Sequence, residues 1–267
     1  MNYFTIITYR NTKEGSVSMK YTDMNNNYNE QVLQGSYEEL TVPVQQEAET
    51  FIKRHIFYKL FFLFMIGSIF GCYMEQILYY LHKGIWECRA GVVWGPFSEI
   101  YGFGAVIMFL LSRALKEKSP LLIFLAAVIS GSAFEYIARL FQEITFDSIT
   151  WDYSMQPLNI GGRTSLKYGI YWGLLGLLFI KLIFPLLDQC LERIKGKAAF
   201  IFTWTFIVFM IVNLIFSAVT VNRWKERLQG IPSQDAVEEF LDQHYDNDIM
   251  KRRFPHMRFI DTSDKAA

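Results

Sequence analysis

The chain has 267 residues, 26 Lys and Arg against 26 Asp and Glu, 52% apolar and 17% aromatic residues, and only 19% charged residues. Five positive and seven negative charges fall in residues 1 to 54, eight and nine in residues 222 to 267, and 13 and ten in the 167 residues between, where they separate long uncharged runs. This distribution excludes a soluble globule, a disulfide-framed secreted domain and a basic nucleic-acid binder; it predicts an all-α polytopic membrane bundle between two polar tails.

Residues 1 to 54 are rich in Asn, Gln, Tyr and Thr, with Asn25 to Asn27 in a row and no sustained helical period, so they read as a polar, disordered N-terminal tail. Met1 to Arg10 lacks a basic stretch followed by a long apolar one, and the first membrane segment is expected to act as the targeting signal. Residues 55 to 221 form the transmembrane domain. A helix needs about 20 mostly apolar residues to cross the hydrocarbon layer, and five stretches meet or approach that length: 56 to 81, 96 to 115, 120 to 141, 168 to 187 and 198 to 221. The second is the weakest, because Glu99, Gly102 and Gly104 stand at its start; a re-entrant or broken segment is the alternative there. Gly67 and Gly71 in the first stretch, and Gly169, Gly173 and Gly176 in the fourth, offer flat faces for close helix packing.

Residues 222 to 267 make a C-terminal tail with one patterned segment. Ser233 precedes Ala236, Val237, Phe240 and Leu241, with Asp235, Glu238 and Glu239 in the first turns, so a short amphipathic helix ending before Pro255 is predicted. With five spans, nine Lys and Arg (residues 53, 54, 59, 113, 116, 118, 193, 195 and 197) share one side and four (83, 89, 163 and 167) the other, which favours a cytoplasmic N-terminus. Arg223, Lys225 and Arg227 pull the other way. Four full spans with a re-entrant second segment would place the C-terminal tail inside.

Charged groups within the bilayer cost about 2.5 to 3.5 kcal/mol on insertion scales and are functional candidates by default. Glu75 lies near the end of the first span and Glu135 well inside the third, both in the half of the membrane nearest two loops dense in acids, arginines, aromatics and turn residues. Each has a plainer reading. Glu135 and Arg139, four apart on one helix, can neutralise each other; Glu75 needs a cross-helix partner, for which Arg89 or Arg163 is the natural choice; and the loop Trp and Tyr residues suit an interfacial belt. Cys72, Cys88 and Cys190 read as free thiols, and the four histidines lack helical ligand spacing, so no metal and no cofactor are expected. Neither a phosphate loop nor a Gly-x-Ser-x-Gly elbow occurs, which makes an enzyme the less favoured class.

The loop segments carry a resemblance. Trp86 to Gly104, WECRAGVVWGPFSEIYGFG, followed by GSAFEY at Gly131 to Tyr136, WDYSMQPLNIGGR at Trp151 to Arg163 and YWGLLG at Tyr171 to Gly176, resembles the bacterial family described as putative ABC-transporter type IV or CmpB-type permease-like membrane proteins. The likeness covers about residues 57 to 187, and the His244-Tyr245 and Phe254 to Phe259 (FPHMRF) elements of the tail extend it. The family's Cys-Pro reads Ser98-Glu99 here, which argues against a thiol role and adds a charge at the head of the second span. What the resemblance implies is a permease-like subunit of the bacterial plasma membrane, its ATP-binding subunit a separate polypeptide. Its polar cluster near the outer face comprises Glu75, Arg89, Tyr101, Glu135, Tyr136, Trp151, Asp152, Tyr153, Asn159 and Arg163, to which the spacing from Glu135 adds Arg139, with structural turns at Gly95, Pro96, Gly102, Gly104, Pro157 and Gly162. The expected partners are the lipid bilayer, that ATP-binding subunit and further copies of the chain, with no nucleic acid. Two alternatives stay open: a membrane-embedded enzyme acting on a lipid or lipid-linked substrate, with Glu135 or Asp152 as acid and base and Arg163 on a phosphate, and a non-catalytic scaffold or sensor.

Overall fold

The computed structural model describes the backbone of residues 8–11, 17–20 and 30–55, and the whole of residues 56–191, 193–194 and 196–260. The chain divides into two units, residues 1–54 and 55–267. In the first, β1 (Thr8–Asn11) pairs antiparallel with β2 (Val17–Lys20), and α1 (Glu30–Lys83) begins. Of the tail expected over residues 1 to 54, 21 residues lie outside the described ones, and α1 runs through residues 30 to 54, where no sustained helical period was expected.

The second unit is a helical bundle. Four of its helical stretches are long and apolar enough to cross a membrane: Ile56–Lys83, Pro120–Phe146, Leu166–Leu191 and Gly196–Leu228. Only 22–33% of each apolar window is buried inside the protein, so most of the apolar surface points outward, as lipid solvation requires and water would penalise. Pro120–Phe146 is α3, with Pro at the first turn and the Ser119 hydroxyl capping the Leu122 N–H. Leu166–Leu191 comprises α4 (Leu166–Leu178), a π-helical turn at Phe179–Ile183 that contains Lys181, and α5 (Phe184–Leu191). Gly196–Leu228 is α6.

The second segment differs in kind. Its helix, α2 (Glu99–Leu115), has 17 residues and starts after the Gly95-Pro96 turn, with Ser98 still extended. The preceding residues 84–98 run down into the bundle as irregular chain. The Ser98 N–H donates to the Ser68 carbonyl at 3.1 Å, fifteen residues and about 22 Å of helix from the end of α1 at Lys83. Non-helical backbone at that depth must find partners inside the protein, and α6 supplies them: the Val93 N–H donates to Ser217 Oγ at 2.8 Å and the Trp94 N–H to Asn213 Oδ1 at 3.1 Å. The re-entrant alternative thus describes this segment. Its expected consequence does not follow, because the descending loop and α2 together reverse the chain direction as a full span would. The C-terminal tail accordingly packs on the end of the bundle that holds residues 84–98 and 147–165, called here the loop end.

Small residues set the helix spacing. On α4, Gly169 faces Ser132, Gly173 faces Phe124 and Val128, and Gly176 faces Ala127, all on α3. Reciprocally, a Cβ on Gly131 of α3 would lie 2.3 Å from the Trp172 ring. Gly71 of α1 accommodates the Tyr101 side chain in the same way. The main core gathers Leu63, Met108, Phe109, Ile123, Ala127 and Trp172; a second cluster joins Phe61, Val92, Phe97 and Met210.

The tail holds two short helices instead of the single one expected. α7 (Ala236–His244) is capped not by Ser233 but by Asp235, whose Oδ1 accepts from the N–H groups of Val237 and Glu238 at 2.9 and 2.8 Å. α8 (Asn247–Arg253) follows. Four two-residue strands complete the loop end: β3 (Ser148–Ile149), β4 (Asn159–Ile160), β5 (Thr164–Ser165) and, from the tail, β6 (Arg258–Phe259). β4 and β5 form a hairpin, and β3 pairs antiparallel with β6.

Candidate polar site at the loop end of the bundle

Two adjoining polar sets occupy the loop end. The first is built on α3 and the loop 147–165. α3 ends at Asp147 in the left-handed conformation (φ 44°), which turns the chain across the bundle. Pro157 lies in a turn, and Gly161 and Gly162 follow with φ of 57° and 67°, a region that favours glycine. Asn159 holds this turn closed: its Oδ1 accepts from the Gly162 N–H at 2.9 Å, and its Nδ2 donates to the carbonyls of Ser154 and Gln156.

Into this frame α3 projects Glu135, Arg139 and Glu143. The Glu135 carboxylate accepts one hydrogen bond from the Tyr153 hydroxyl and one from Thr164, both at 2.9 Å. Arg139 does not pair with Glu135, as the sequence suggests, but turns the other way along the helix to Glu143 at 2.9 Å, and also donates to the carbonyls of Trp151 and Gly162. Two backbone carbonyls on that side favour a donor there, whereas two hydroxyls satisfy Glu135. The other oxygen of Glu143 accepts from Arg163 Nε at 2.9 Å, and the Arg163 guanidinium lies over the Tyr136 ring. Trp151 Nε1 donates to the Arg163 carbonyl at 3.0 Å. Glu143 is the residue that sequence reasoning missed; it sits beyond the expected end of the third span at 141, although its i+4 spacing from Arg139 was visible.

The second set lies between α1 and the re-entrant loop. Arg89 approaches Glu75 Oε1 at 3.5 Å and Glu87 Oε2 at 3.8 Å, with its guanidinium stacked 4.1 Å over the Tyr79 ring. Of the two arginines proposed for Glu75, Arg89 takes the place. Tyr101 lies within electrostatic reach of both Glu75 and Glu135, so it stands between the two sets. Tyr101 reaches this position because Gly71 leaves room beside it, while Gly102 and Gly104 keep α2 close to Ser68 and Trp172. Glu75, Arg89, Glu135 and Arg163 therefore share the loop end, in two neighbouring sets instead of one network.

Tail residues complete both sets. His256 Nε2 is 2.8 Å from Glu87, and Arg258 pairs with Asp152. Arg253 donates to the Val92 carbonyl at 2.8 Å and also to Gly95 O. Buried Arg223, on α6, anchors α7 through Asp242 at 2.8 Å. Burial raises the Asp152 carboxyl, but hydrogen bonds from Ser154 and the charges of Arg139 and Arg258 outweigh it and hold the group below its ordinary value. Burial, then the Glu135 charge, push the Tyr153 hydroxyl up, which keeps it a donor to Glu135. Hydrogen bonds from Arg223, opposed by burial and reinforced by Arg227, hold Asp242 at about 2.

The two sets differ chemically. In the first, both oxygens of Glu135 are taken and Arg163 is committed to Glu143, which leaves little for a phosphate or an acid–base role. In the second, the carboxylate contacts of Arg89 are long and the Glu75 side chain is 37% exposed. Among the described residues no three His, Cys, Asp or Glu side chains are placed to hold a metal. A family model with the description "Putative ABC-transporter type IV" matches residues 62–218. No curated protein and no solved structure matches the chain.

Proposed function

Because the chain belongs to the putative ABC-transporter type IV family, we propose that it is the permease-like membrane subunit of an ATP-driven transporter in the bacterial plasma membrane. These residues carry no phosphate-loop motif, so ATP binding belongs to another part of the transporter. The N-terminus is cytoplasmic and the loop end faces outward. Counting Arg223, Lys225 and Arg227 with the loop end gives seven Lys and Arg there against nine at the other end, which supports this orientation.

The observation that carries the reading is the contrast between the two polar sets. Glu135, Arg139, Glu143 and Arg163 are closed on one another and on the loop backbone, and form a rigid wall. Glu75 and Arg89 sit beside that wall with long contacts and an accessible carboxylate. A substrate site needs this combination of a preorganised frame and groups free to change partners.

The test is purification of the tagged protein from its native host in mild detergent, followed by mass spectrometry of stoichiometric partners and an ATPase assay. The expected result is an ATP-binding chain in fixed ratio, with turnover altered by Glu135→Gln. A homogeneous protein without ATPase overturns the transport reading and favours a scaffold.

A further inference from the structure

Among the described residues, six arginines are buried or half-buried: Arg89, Arg139, Arg163, Arg223, Arg227 and Arg253. Five donate to an oxygen at 2.9 Å or less. Arg139 and Arg163 reach Glu143 at 2.9 Å, Arg223 and Arg227 reach Asp242 at 2.8 and 2.7 Å, and Arg253 reaches the Val92 carbonyl at 2.8 Å. Arg89 is different. Its carboxylate contacts are 3.5 and 3.8 Å long, and its Nε is buried with no hydrogen-bond partner. Its side chain is only 12% exposed, so the missing donor interactions are not made up by bulk water. The Nε is closed off from solvent, so an added oxygen ligand meets the terminal Nη groups, which hold only those long contacts.

The surroundings restrict what that ligand can be. Glu75 and Glu87 both lie beside Arg89, and His256 is bonded to Glu87. A simple anion would be repelled by two carboxylates, and a simple cation by the guanidinium. A ligand with an ammonium and an oxyanion a few ångströms apart meets both charges, placing the ammonium on the more accessible Glu75 and the oxyanion on Arg89.

The place of the site indicates where such a ligand comes from. Ile56–Lys83 has 28 residues, about 42 Å of helix against a hydrocarbon layer of about 30 Å. Glu75, eight residues before Lys83, therefore lies within side-chain reach of the headgroup margin. The α1 side chains around it, Met74, Ile77, Leu78 and Leu81, are exposed and apolar. Trp86, exposed and edge-to-face with Tyr80, adds an interfacial aromatic. We infer that Glu75 and Arg89 bind the headgroup of a zwitterionic aminophospholipid, its ammonium hydrogen-bonded to Glu75 and its phosphate on the terminal Nη groups of Arg89. A primary ammonium can donate to a carboxylate; a trimethylated one cannot. This deepens the proposed function, on whose substrate site it rests, by naming the class of molecule taken there, and it requires no ATPase.

The test is native mass spectrometry of the full-length protein in detergent, with added phosphatidylethanolamine, its N-methyl and N,N-dimethyl forms, phosphatidylcholine, phosphatidylglycerol and free phosphoethanolamine. Phosphatidylethanolamine is expected to be retained about tenfold over phosphatidylcholine and phosphatidylglycerol, with retention falling along the methylation series. Glu75→Gln and Arg89→Lys should each remove the preference, and Lys118→Ala, at the other end of the bundle, should keep it. Equal retention of all lipids, or a preference unchanged in both variants, overturns the inference; binding of free phosphoethanolamine in place of the lipid overturns the lipid source. If both variants aggregate, the methylation series on the unaltered protein decides. An ATPase partner without lipid preference defeats this site alone, and lipid preference without an ATPase defeats the transport reading alone.

Discussion

Asn213 clasps both backbone polar groups of Trp94: its Oδ1 accepts from the Trp94 N–H at 3.1 Å and its Nδ2 donates to the Trp94 carbonyl at 2.8 Å. Asn213 is fully buried in the middle of α6, and Ser217, one turn on, receives the Val93 N–H. These two side chains do for the re-entrant loop what a neighbouring strand does in a sheet. Asn213→Leu should leave two buried backbone groups unpaired, at a cost of about 2 to 4 kcal/mol. Asn213→Asp keeps one of the two bonds and should cost less, although it adds a buried charge at high pH. Thermal unfolding followed by size-exclusion chromatography in detergent checks this; an unchanged midpoint in Asn213→Leu would show that the loop does not depend on α6.

The tail is held by charge. Arg223, 2% exposed in its side chain, meets Asp242, Glu226 and Glu238. Asp242→Asn removes the closest of these contacts and should cost about 2 kcal/mol, seen as faster proteolysis of residues 231–260. The Asp242 carboxyl is held at about 2, below its ordinary value of about 4. A depressed acid contributes its full stabilisation above the ordinary value and loses it as the group takes up a proton. Tail docking should therefore be constant at neutral pH and weaken from about pH 4 towards pH 2. Asp242→Asn should flatten that part of the profile.

Glycine substitutions on α3 and α2 should separate close packing from mere proximity. A Cβ on Gly131 would meet the base of Trp172, including its own Cβ at 2.5 Å, and cannot be relieved by turning the ring. A Cβ on Gly104 would meet only the far edge of the same ring, at 3.0 Å. Gly131→Ala is expected to cost about 1 to 3 kcal/mol and Gly104→Ala clearly less, measured as thermal midpoints under one condition. Equal effects would contradict the α3–α4 spacing.

The two buried acids of α3 should respond differently to loss of charge. Glu143→Gln weakens the interaction with two arginines at once and is expected to cost about 3 kcal/mol. Glu135→Gln keeps an acceptor for Tyr153 or Thr164, and should cost about 1 kcal/mol. Expression level and thermal midpoint give the comparison. A larger effect at Glu135 would mean that its charge, not its hydrogen bonding, matters to the fold.

Much of the bundle was legible because the signals are local. Long apolar runs mark the helices, Gly169, Gly173 and Gly176 mark a packing face, and Gly-Pro at 95–96 marks the break before α2. The polar site was legible as a list of residue types near one end, and Arg89 as a partner for Glu75. The pairings of α3 were not. Helical spacing offers Arg139 a carboxylate on either side, at Glu135 and at Glu143, and the choice falls to Glu143 because the loop 147–165 brings two carbonyls to that side and two hydroxyls to the other.

The sequence by itself determined that this chain is a membrane bundle with one polar end, because transfer of apolar and charged groups between water and lipid depends on composition along a run of about 20 residues. Only the tertiary structure decided that residues 84–98 descend beside α6, that the tail returns to the loop end, and that Arg89, among the described buried and half-buried arginines, meets its carboxylates only at 3.5 Å and beyond. Those outcomes rest on contacts such as Arg253 to Val92, 161 residues apart, and no period or spacing in a sequence encodes a hydrogen bond whose geometry exists only after the helices have packed.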